Sequence, residues 1–219
     1  MKLLHKILLV VAIGGASLSE ANAVAITTLF NTGVNSSGTV LADGTVGDPH
    51  YTLTSVPSGP TDIRIKTSAS GFPVGPWLGD DTASTWIGPN SGASLDGPAG
   101  SYTYRTTFDL TGLDPATASI SGQWSTDDSG PSILLNGVLT PNLPAGGFSS
   151  FFPFSITSGF STGVNTLDFA VVNGGGPTGL RVEMSGTASS ARAVPDSGST
   201  LLFFGSVIPA LGTFRRRKN

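Results

Sequence analysis

The sequence predicts an all-β protein built as an antiparallel β-sandwich, and three observations support this prediction. Only 11% of the 219 residues are charged, whereas 30 glycines and 15 prolines supply many turns. Several short segments alternate between apolar and polar residues, which is the period of a half-buried strand. Hydrophobic residues make up 38% of the chain and include three tryptophans, enough for a packed core.

Nine strands are expected between residues 24 and 190. The clearest is residues 102–110, where Tyr102, Tyr104 and Phe108 share one face and Arg105 and Asp109 share the other. Three more segments alternate in the same way, namely residues 118–124, 166–171 and 180–184. Five further strands are expected at residues 25–30, 51–55, 62–66, 132–135 and 151–157. Gly- and Pro-rich turns such as "TGLDPAT" and "NGGGPTG" separate them.

The first 23 residues have the three parts of a secretory signal peptide. Lys2 and Lys6 form a positive start, residues 7–13 are apolar, and Ala21 and Ala23 flank Asn22 in a small-x-small cleavage site. We therefore expect export through the Sec machinery and cleavage by signal peptidase after Ala23. The alternative is an uncleaved anchor helix.

The last 29 residues, 191–219, form a second segment that is not part of the fold. Residues 201–214 are apolar or small, and the cations Arg215, Arg216, Arg217 and Lys218 follow at once. With the small residues 197–200 the segment reaches about 18 residues, the lower limit for a transmembrane helix. The cations predict that this end stays cytoplasmic, so that the passenger domain faces outward. A plain membrane anchor is the simplest interpretation.

A more specific interpretation comes from the motif that precedes the apolar segment. Val194, Pro195, Asp196, Ser197 and Gly198 spell "VPDSG", and the apolar segment and Arg cluster follow in order. This tail resembles the VPDSG-CTERM variant of the PEP-CTERM sorting signals. The resemblance implies that an exosortase-type membrane transpeptidase, which supplies the catalytic residues, removes the tail. It also implies delivery to the cell surface or extracellular matrix of a Gram-negative bacterium that makes exopolysaccharide.

The passenger, residues 24–190, carries a second resemblance. "YTYRTTFDL", "ISGQW" and "ILLNG" follow one another, and "VNTLDFAVVN" and "GLRVEMSGTA" come later. This order, over residues 102–188, is similar to jelly-roll modules of the galactose-binding-like type. The motifs mostly encode core and turns, so the resemblance implies a fold and only weakly a ligand.

Composition excludes several classes of function. The chain has no cysteine, which rules out disulfides, thiolate metal sites and a cysteine nucleophile. Between residues 24 and 190, twelve acidic residues stand against four basic ones, a net charge of −8. Because binding to a phosphate backbone needs clustered cations, we expect no nucleic-acid partner.

Catalytic residues are not expected. His50 is the one histidine left after signal removal, and a turn position beside Asp48 explains it better than catalysis. The pairs Asp80–Asp81 and Asp127–Asp128 have the residue types of glycosidase carboxylates, but neighbouring residues on a strand point to opposite faces. Asp127 and Asp128 in "STDDSG" are the best candidates for binding Ca²⁺, although an ordinary turn is the preferred interpretation. No other cofactor is expected.

Carbohydrate binding is the favoured ligand hypothesis. Trp77 and Trp86 lie in the Gly/Pro-rich stretch "PWLGDDTASTWIGPNSG", where an exposed ring would stack on a sugar. Packing of both rings against the edge of the sandwich is nevertheless the preferred interpretation. Trp124 is expected in the core, and residues 148–154 as a strand that enters it.

The function predicted from the sequence is that of an exported, non-enzymatic protein of the cell surface or matrix, with exopolysaccharide as a candidate ligand. Two alternatives stay open: a structural matrix component without a specific ligand, and a secreted polysaccharide hydrolase.

Overall fold

The computed structural model describes residues 22–71, 75, 77–92, 95–142 and 144–191. The sorting motif, the C-terminal apolar segment and all of the expected signal peptide before Asn22 lie outside these residues. Within the described ranges the one helix is a 3-10 turn at Ser68–Ser70. It follows that none of the helices described there is long and apolar enough to cross a membrane.

Thirteen strands follow one another along the described chain. They are β1 (Ala23–Ala25), β2 (Tyr51–Ser55), β3 (Ile63–Lys66), β4 (Trp86–Pro89), β5 (Asp96–Gly97), β6 (Gly100–Asp109), β7 (Leu113–Asp127), β8 (Ser129–Leu135), β9 (Val138–Leu139), β10 (Phe152–Ile156), β11 (Val164–Asn173), β12 (Gly176–Pro177) and β13 (Gly179–Ser190). All pairings between them are antiparallel.

Two main sheets hold these strands. The six-stranded sheet has the order β10-β7-β13-β4-β3, and β1 pairs with β13. The five-stranded sheet has the order β2-β6-β11-β8-β9, and β5 and β12 form a small ribbon. Residues 26–32 are not a strand but contact β13 at two points, since Ile26 N–H donates to Gly186 O and Thr32 N–H donates to Val182 O.

The two sheets share one hydrophobic core. Trp124 and Phe154 of the six-stranded sheet meet Phe169 of the five-stranded sheet, with ring centroids 5.7 and 5.9 Å apart. Tyr104 and Ile133 are buried in the same cluster. The alternation seen in the sequence thus becomes one buried face per sheet, and Trp124 lies in the core as expected.

Both ends of the described chain lie at one end of the molecule, which we call the terminal pole. Ala23 pairs with Ser189, and Ser190 pairs with Leu113. The turn at 110–112, the β8–β9 turn at 136–137 and the loop at 157–163 are at the same pole, since Leu110 N–H donates to Gly163 O and the Asn136 side chain donates to Gly159 O.

Eight of the nine expected strands are present, with bounds that differ by a few residues. The expected strand at 25–30 is wrong: β1 ends at Ala25, and a turn closed by Leu29 N–H and Ile26 O follows. Strand β4 was not expected, because all four of its residues are buried and "WIGP" shows no alternation. The prediction that residues 148–154 form a strand entering the core is partly confirmed, because β10 begins at Phe152 and Phe154 is buried.

Candidate functional site

The two tryptophans that the sequence offers as candidate sugar platforms, Trp77 and Trp86, are buried. Trp86 is 0% exposed and Trp77 is 8% exposed, and their ring centroids lie 4.4 Å apart. Trp86 Nε1 donates a hydrogen bond to Leu78 O at 2.9 Å. Gly179 makes room for both rings, because a Cβ there would lie 3.3 Å from atoms of each. Both rings are thus packed, as the preferred interpretation of the sequence has it, and neither is an exposed platform for a sugar.

Asp80 and Asp81 do not form a catalytic pair. Asp80 Oδ2 accepts hydrogen bonds from the backbone N–H and the hydroxyl of Ser68, at 2.7 and 2.6 Å. Asp81 Oδ1 accepts from the backbone N–H groups of Ala83 and Ser84. Each carboxylate thus organises its own turn, and Asp81 also reaches a buried cation.

That cation is Arg181, whose side chain is fully buried on the outer side of β13. Its Nη2 lies 2.7 Å from Asp81 Oδ2 and 3.5 Å from Glu183 Oε1. Its Nε donates to Ser84 Oγ at 2.7 Å, and its Nη1 donates to Gly79 O. The Phe151 ring covers the guanidinium, with Cζ 5.1 Å from the ring centroid. Such dense pairing is what a buried charge requires.

The Arg181 cluster also sets the charge of Asp81. Burial raises the pKa of this carboxyl, but the N–H groups of Ala83 and Ser84 and the charge of Arg181 outweigh it, so that the pKa lies below its usual value. Asp81 is therefore ionised at neutral pH and stays available to the guanidinium.

Glu183 links this cluster to an open groove. Its Oε1 accepts from Ser84 Oγ at 2.8 Å, and its Oε2 accepts from Gln123 Nε2 at 2.8 Å. Gln123 stands opposite Glu183 in the β7–β13 pairing, and Ser121 stands opposite Ser185. These four outward side chains form the floor of what we call the sheet groove.

The sheet groove has a volume of about 460 Å³ and crosses β7 and β13 as far as Asn31. Asn31 is fixed there, because its Oδ1 accepts from Met184 N–H and its Nδ2 donates to Ala83 O. A second hollow of about 310 Å³ shares Asn31 and Met184 with the groove and continues it along Ser36 and Ser37. The combined depression is wide and open. Hydroxyl, amide and carboxylate groups line the sheet groove, and the second hollow adds the apolar side chains of Leu29, Phe30 and Val34.

Asp127 and Asp128 do come together at the end of β7. Burial first, and then the hydrogen bond and charge of Asp128, raise the pKa of Asp127 to about 7. Asp128 Oδ2 also accepts from Gly174 N–H at 2.6 Å. The described residues contain no group of three or more His, Asp or Glu side chains placed to hold a metal ion. Calcium binding at this carboxylate pair stays a prediction.

His50 occupies a turn. Its ring stacks flat on Phe30, with centroids 3.6 Å apart. The neighbouring Asp48 carboxylate accepts hydrogen bonds from the backbone N–H groups of Gly33, His50 and Tyr51. Burial raises the pKa of Asp48 despite these bonds. Both side chains thus hold the entry to β2, and this supports the turn interpretation.

Sequence reasoning did not find the Arg181 cluster or the sheet groove. The alternation in residues 180–184 did place Arg181 and Glu183 on one polar face. What it lacked was the register that sets Gln123 opposite Glu183, and the long-range contact that brings Ser84 to Arg181 across 97 positions.

Comparison with known proteins gives one specific result. Residues 193–218 match the family model described as the VPDSG-CTERM motif, so the tail carries this sorting motif. The match covers the tail and not the β-domain, and it indicates an exported protein. A search of curated proteins finds no match to the chain.

Among solved structures the chain is similar to a Podospora anserina GH26-CBM35 β-(1,4)-mannanase. The identity is 14% and the TM-score is 0.31. The matched region covers 67% of this chain but 29% of the mannanase chain. A likeness at this level carries no information on the activity of this chain.

Proposed function

We propose that this protein is an exported, non-enzymatic component of the cell surface or extracellular matrix, and that its β-domain binds polysaccharide through the sheet groove. An exosortase-type transpeptidase would process the tail, as the VPDSG-CTERM motif implies. The observation that carries the binding proposal is the sheet groove itself, a wide polar depression on the outer face of a rigid sheet.

The chemistry of the groove fits a sugar chain. Sugar hydroxyls both donate and accept hydrogen bonds, and Ser121, Gln123 and Ser185 offer both functions side by side. Because Gln123 and Glu183 hold each other and Glu183 is held by Ser84, these groups are positioned before a ligand arrives. Since the passenger carries a net charge of −8, a neutral polysaccharide fits better than an acidic one.

Two observations support the proposal that the protein is not a hydrolase. Glycosidase carboxylates stand about 5 Å or more apart across the scissile bond. Asp127 and Asp128 instead share a hydrogen bond, and Asp80 and Asp81 are each bound to separate turns. These pairs therefore suit a structural role.

Affinity electrophoresis in gels that contain neutral polysaccharides, with mannan, galactan and β-glucan as probes, tests the binding proposal. We expect at least one of them to retard the wild type. Ser121→Tyr and Ser185→Tyr place a large ring in the groove and should abolish the retardation. Ser101→Tyr changes an exposed serine of the five-stranded sheet and serves as the matched control.

Retardation that survives both groove substitutions would refute the sheet groove as the binding site. A wild type that no neutral or acidic polysaccharide retards would favour the purely structural alternative. Release of reducing sugar that is lost on Asp127→Asn would instead favour the hydrolase.

A further inference from the structure

The terminal pole carries the most exposed large hydrophobic side chains of the described chain. Val138 is 70% exposed, Val164 is 68% exposed and Leu139 is 66% exposed. Val24 is also at this pole and is 42% exposed. A small apolar notch of about 130 Å³ opens beside Val138 and Leu139 against Ile156. Val138 and Leu139 are therefore neighbours at the edge of an apolar notch, and Val164 and Val24 lie at the same pole.

The same pole is where the chain leaves the domain toward the sorting signal. The last described hydrogen bond of the backbone joins Ala191 N–H to Gly112 O. Five residues of sequence, 192–196, separate Ala191 from segment 197–214, which is long enough to span a membrane. Fully extended, they reach about 17 Å. A domain of this size has a radius of gyration of about 15 Å, so this tether does not exceed the diameter of the domain.

The short tether limits how far the terminal pole can move from the membrane. While the apolar segment is in the bilayer, the terminal pole is the end nearest to it, and the effective concentration of the pole at the lipid surface is high. Val138 and Leu139, next to the β8–β9 turn, and Val164, at the start of β11, then lie close to the interface, where apolar side chains gain by leaving water. Charge does not assist, because the charged residues described at this pole are the carboxylates of Asp109 and Asp114.

We propose that Val138, Leu139 and Val164 form a lipid-docking surface that holds the unprocessed protein with its terminal pole against the bilayer. The partner is the zwitterionic lipid surface next to the anchored tail. This rests on the proposed function to the extent that the tail is anchored in a membrane. Once the tail is removed the tether is lost, and three side chains alone bind a bilayer only weakly and reversibly. Processing would thus release the domain.

The absence of cysteine permits a direct test by single-site labelling of the full-length precursor in phosphatidylcholine vesicles. Val138→Cys, Leu139→Cys and Val164→Cys would carry an environment-sensitive fluorophore, and Val46→Cys and Val172→Cys are controls on exposed valines away from this pole. We expect blue-shifted emission and at least twofold stronger quenching by spin-labelled lipid at the three pole positions than at the controls.

Equal emission and quenching at all five positions, in vesicles that float with the precursor, would overturn the docking surface but leave the anchored tail intact. Failure of the precursor to float with the vesicles would overturn both docking and anchoring. A shift at the pole that appears solely in membranes containing the processing enzyme would overturn lipid docking and assign the surface to a protein contact.

A second measurement uses variants that leave the fold alone. Arg192 is a trypsin site one residue beyond Ala191. Replacing Val138, Leu139 and Val164 together by serine should expose this linker and speed its cleavage in vesicles at least threefold. Replacing Val46 and Val172 by serine should leave the rate unchanged, and equal rates for the two variants would refute the docking surface.

Discussion

The outer faces of the two main sheets each carry an arginine in an ion pair, but one arginine is buried and the other is open to solvent. On the six-stranded sheet, Phe151 and the loop around Gly79 cover the Arg181 guanidinium, which is 0% exposed and ion-paired with Asp81 and Glu183. On the five-stranded sheet, Arg105 is 41% exposed and meets Asp168 in a bidentate pair at 2.6 and 2.7 Å. The covered face thus buries its cation, whereas the open face holds an ion pair whose cation is open to solvent and whose carboxylate, Asp168, is buried.

The difference shows why the sheet groove is on the six-stranded sheet. A polar side chain positions a ligand well only when its own partners hold it in place, and Glu183 is held by Ser84 and Gln123. Arg105 is free to exchange its partner for water, so the same residue types on the open face do not build a site. Two changes test this contrast, and a third tests the carboxylate pair at the end of β7.

Removing the covered cation should have the largest effect. Arg181→Met leaves the carboxylate of Glu183 mostly buried beside Asp81 without its positive partner. We expect a loss of about 3 kcal/mol in the free energy of unfolding, measured by urea denaturation. The double variant Arg181→Met/Glu183→Gln should regain part of this loss, because it removes the uncompensated charge. A double variant no more stable than Arg181→Met would contradict the ion-pair account.

The carboxylate pair at the end of β7 should give the next largest effect, and of opposite sign. Because burial and Asp128 raise the pKa of Asp127 to about 7, folding favours the protonated form. The contribution of Asp127 to the free energy of unfolding is fully present below about pH 4, the pKa of this carboxyl in the unfolded chain. It is lost as the pH rises through about 7. Asp127→Asn copies the protonated shape, so it should be more stable than the wild type by about 1–2 kcal/mol at pH 8 and similar at pH 4.

Thermal unfolding between pH 4 and pH 8 checks this prediction, and Asp109→Asn is the control, since Asp109 is an exposed carboxyl with a lowered pKa. If calcium binds the pair, millimolar Ca²⁺ should raise the melting temperature of the wild type and not of Asp127→Asn. A wild type whose stability does not fall toward pH 8 would show that the two carboxyls do not share a proton.

The open ion pair should give the smallest effect. The hydrogen bond and the charge of Asp168 raise the pKa of Arg105, but solvent screens the pair on the Arg105 side. The double variant Arg105→Met/Asp168→Asn removes the pair without leaving a buried, charged Asp168 carboxylate unpaired, so it should cost about 0.5–1 kcal/mol, and 0.5 M salt should weaken the wild-type pair to a similar extent. Urea denaturation at low and high salt measures both. A loss as large as that of Arg181→Met would erase the contrast between the two faces.

Much of the fold was predictable because its strands are half-buried. In β6, Tyr102 and Tyr104 alternate with Thr103 and Arg105, and the period of two appears directly in the letters. Strand β4 was not predictable, because Trp86 and Ile87 are adjacent and both buried, so the local pattern shows no face. Its partners are set by the long-range pairings Leu180–Ile87 and Ile65–Ile87.

The tail and the groove differ in the same respect. The sorting motif is a continuous stretch, and its five residues 194–198 could be found in the letters alone. The sheet groove brings together Asn31, Gln123 and Glu183 from three distant segments, and such a site depends on strand register. For Trp77 and Trp86 the sequence left both packing and exposure open, because their contact with Gly179, about 100 residues away, does not appear in the local pattern.

The measurement that tests the account most directly is mass spectrometry of the protein recovered from the cell surface or matrix. The account predicts a mature chain that begins at Val24 and ends within residues 194–198, without the apolar segment and the Arg cluster. A recovered chain that still carries residues 215–219 would contradict sorting by a transpeptidase and reduce the tail to a permanent anchor.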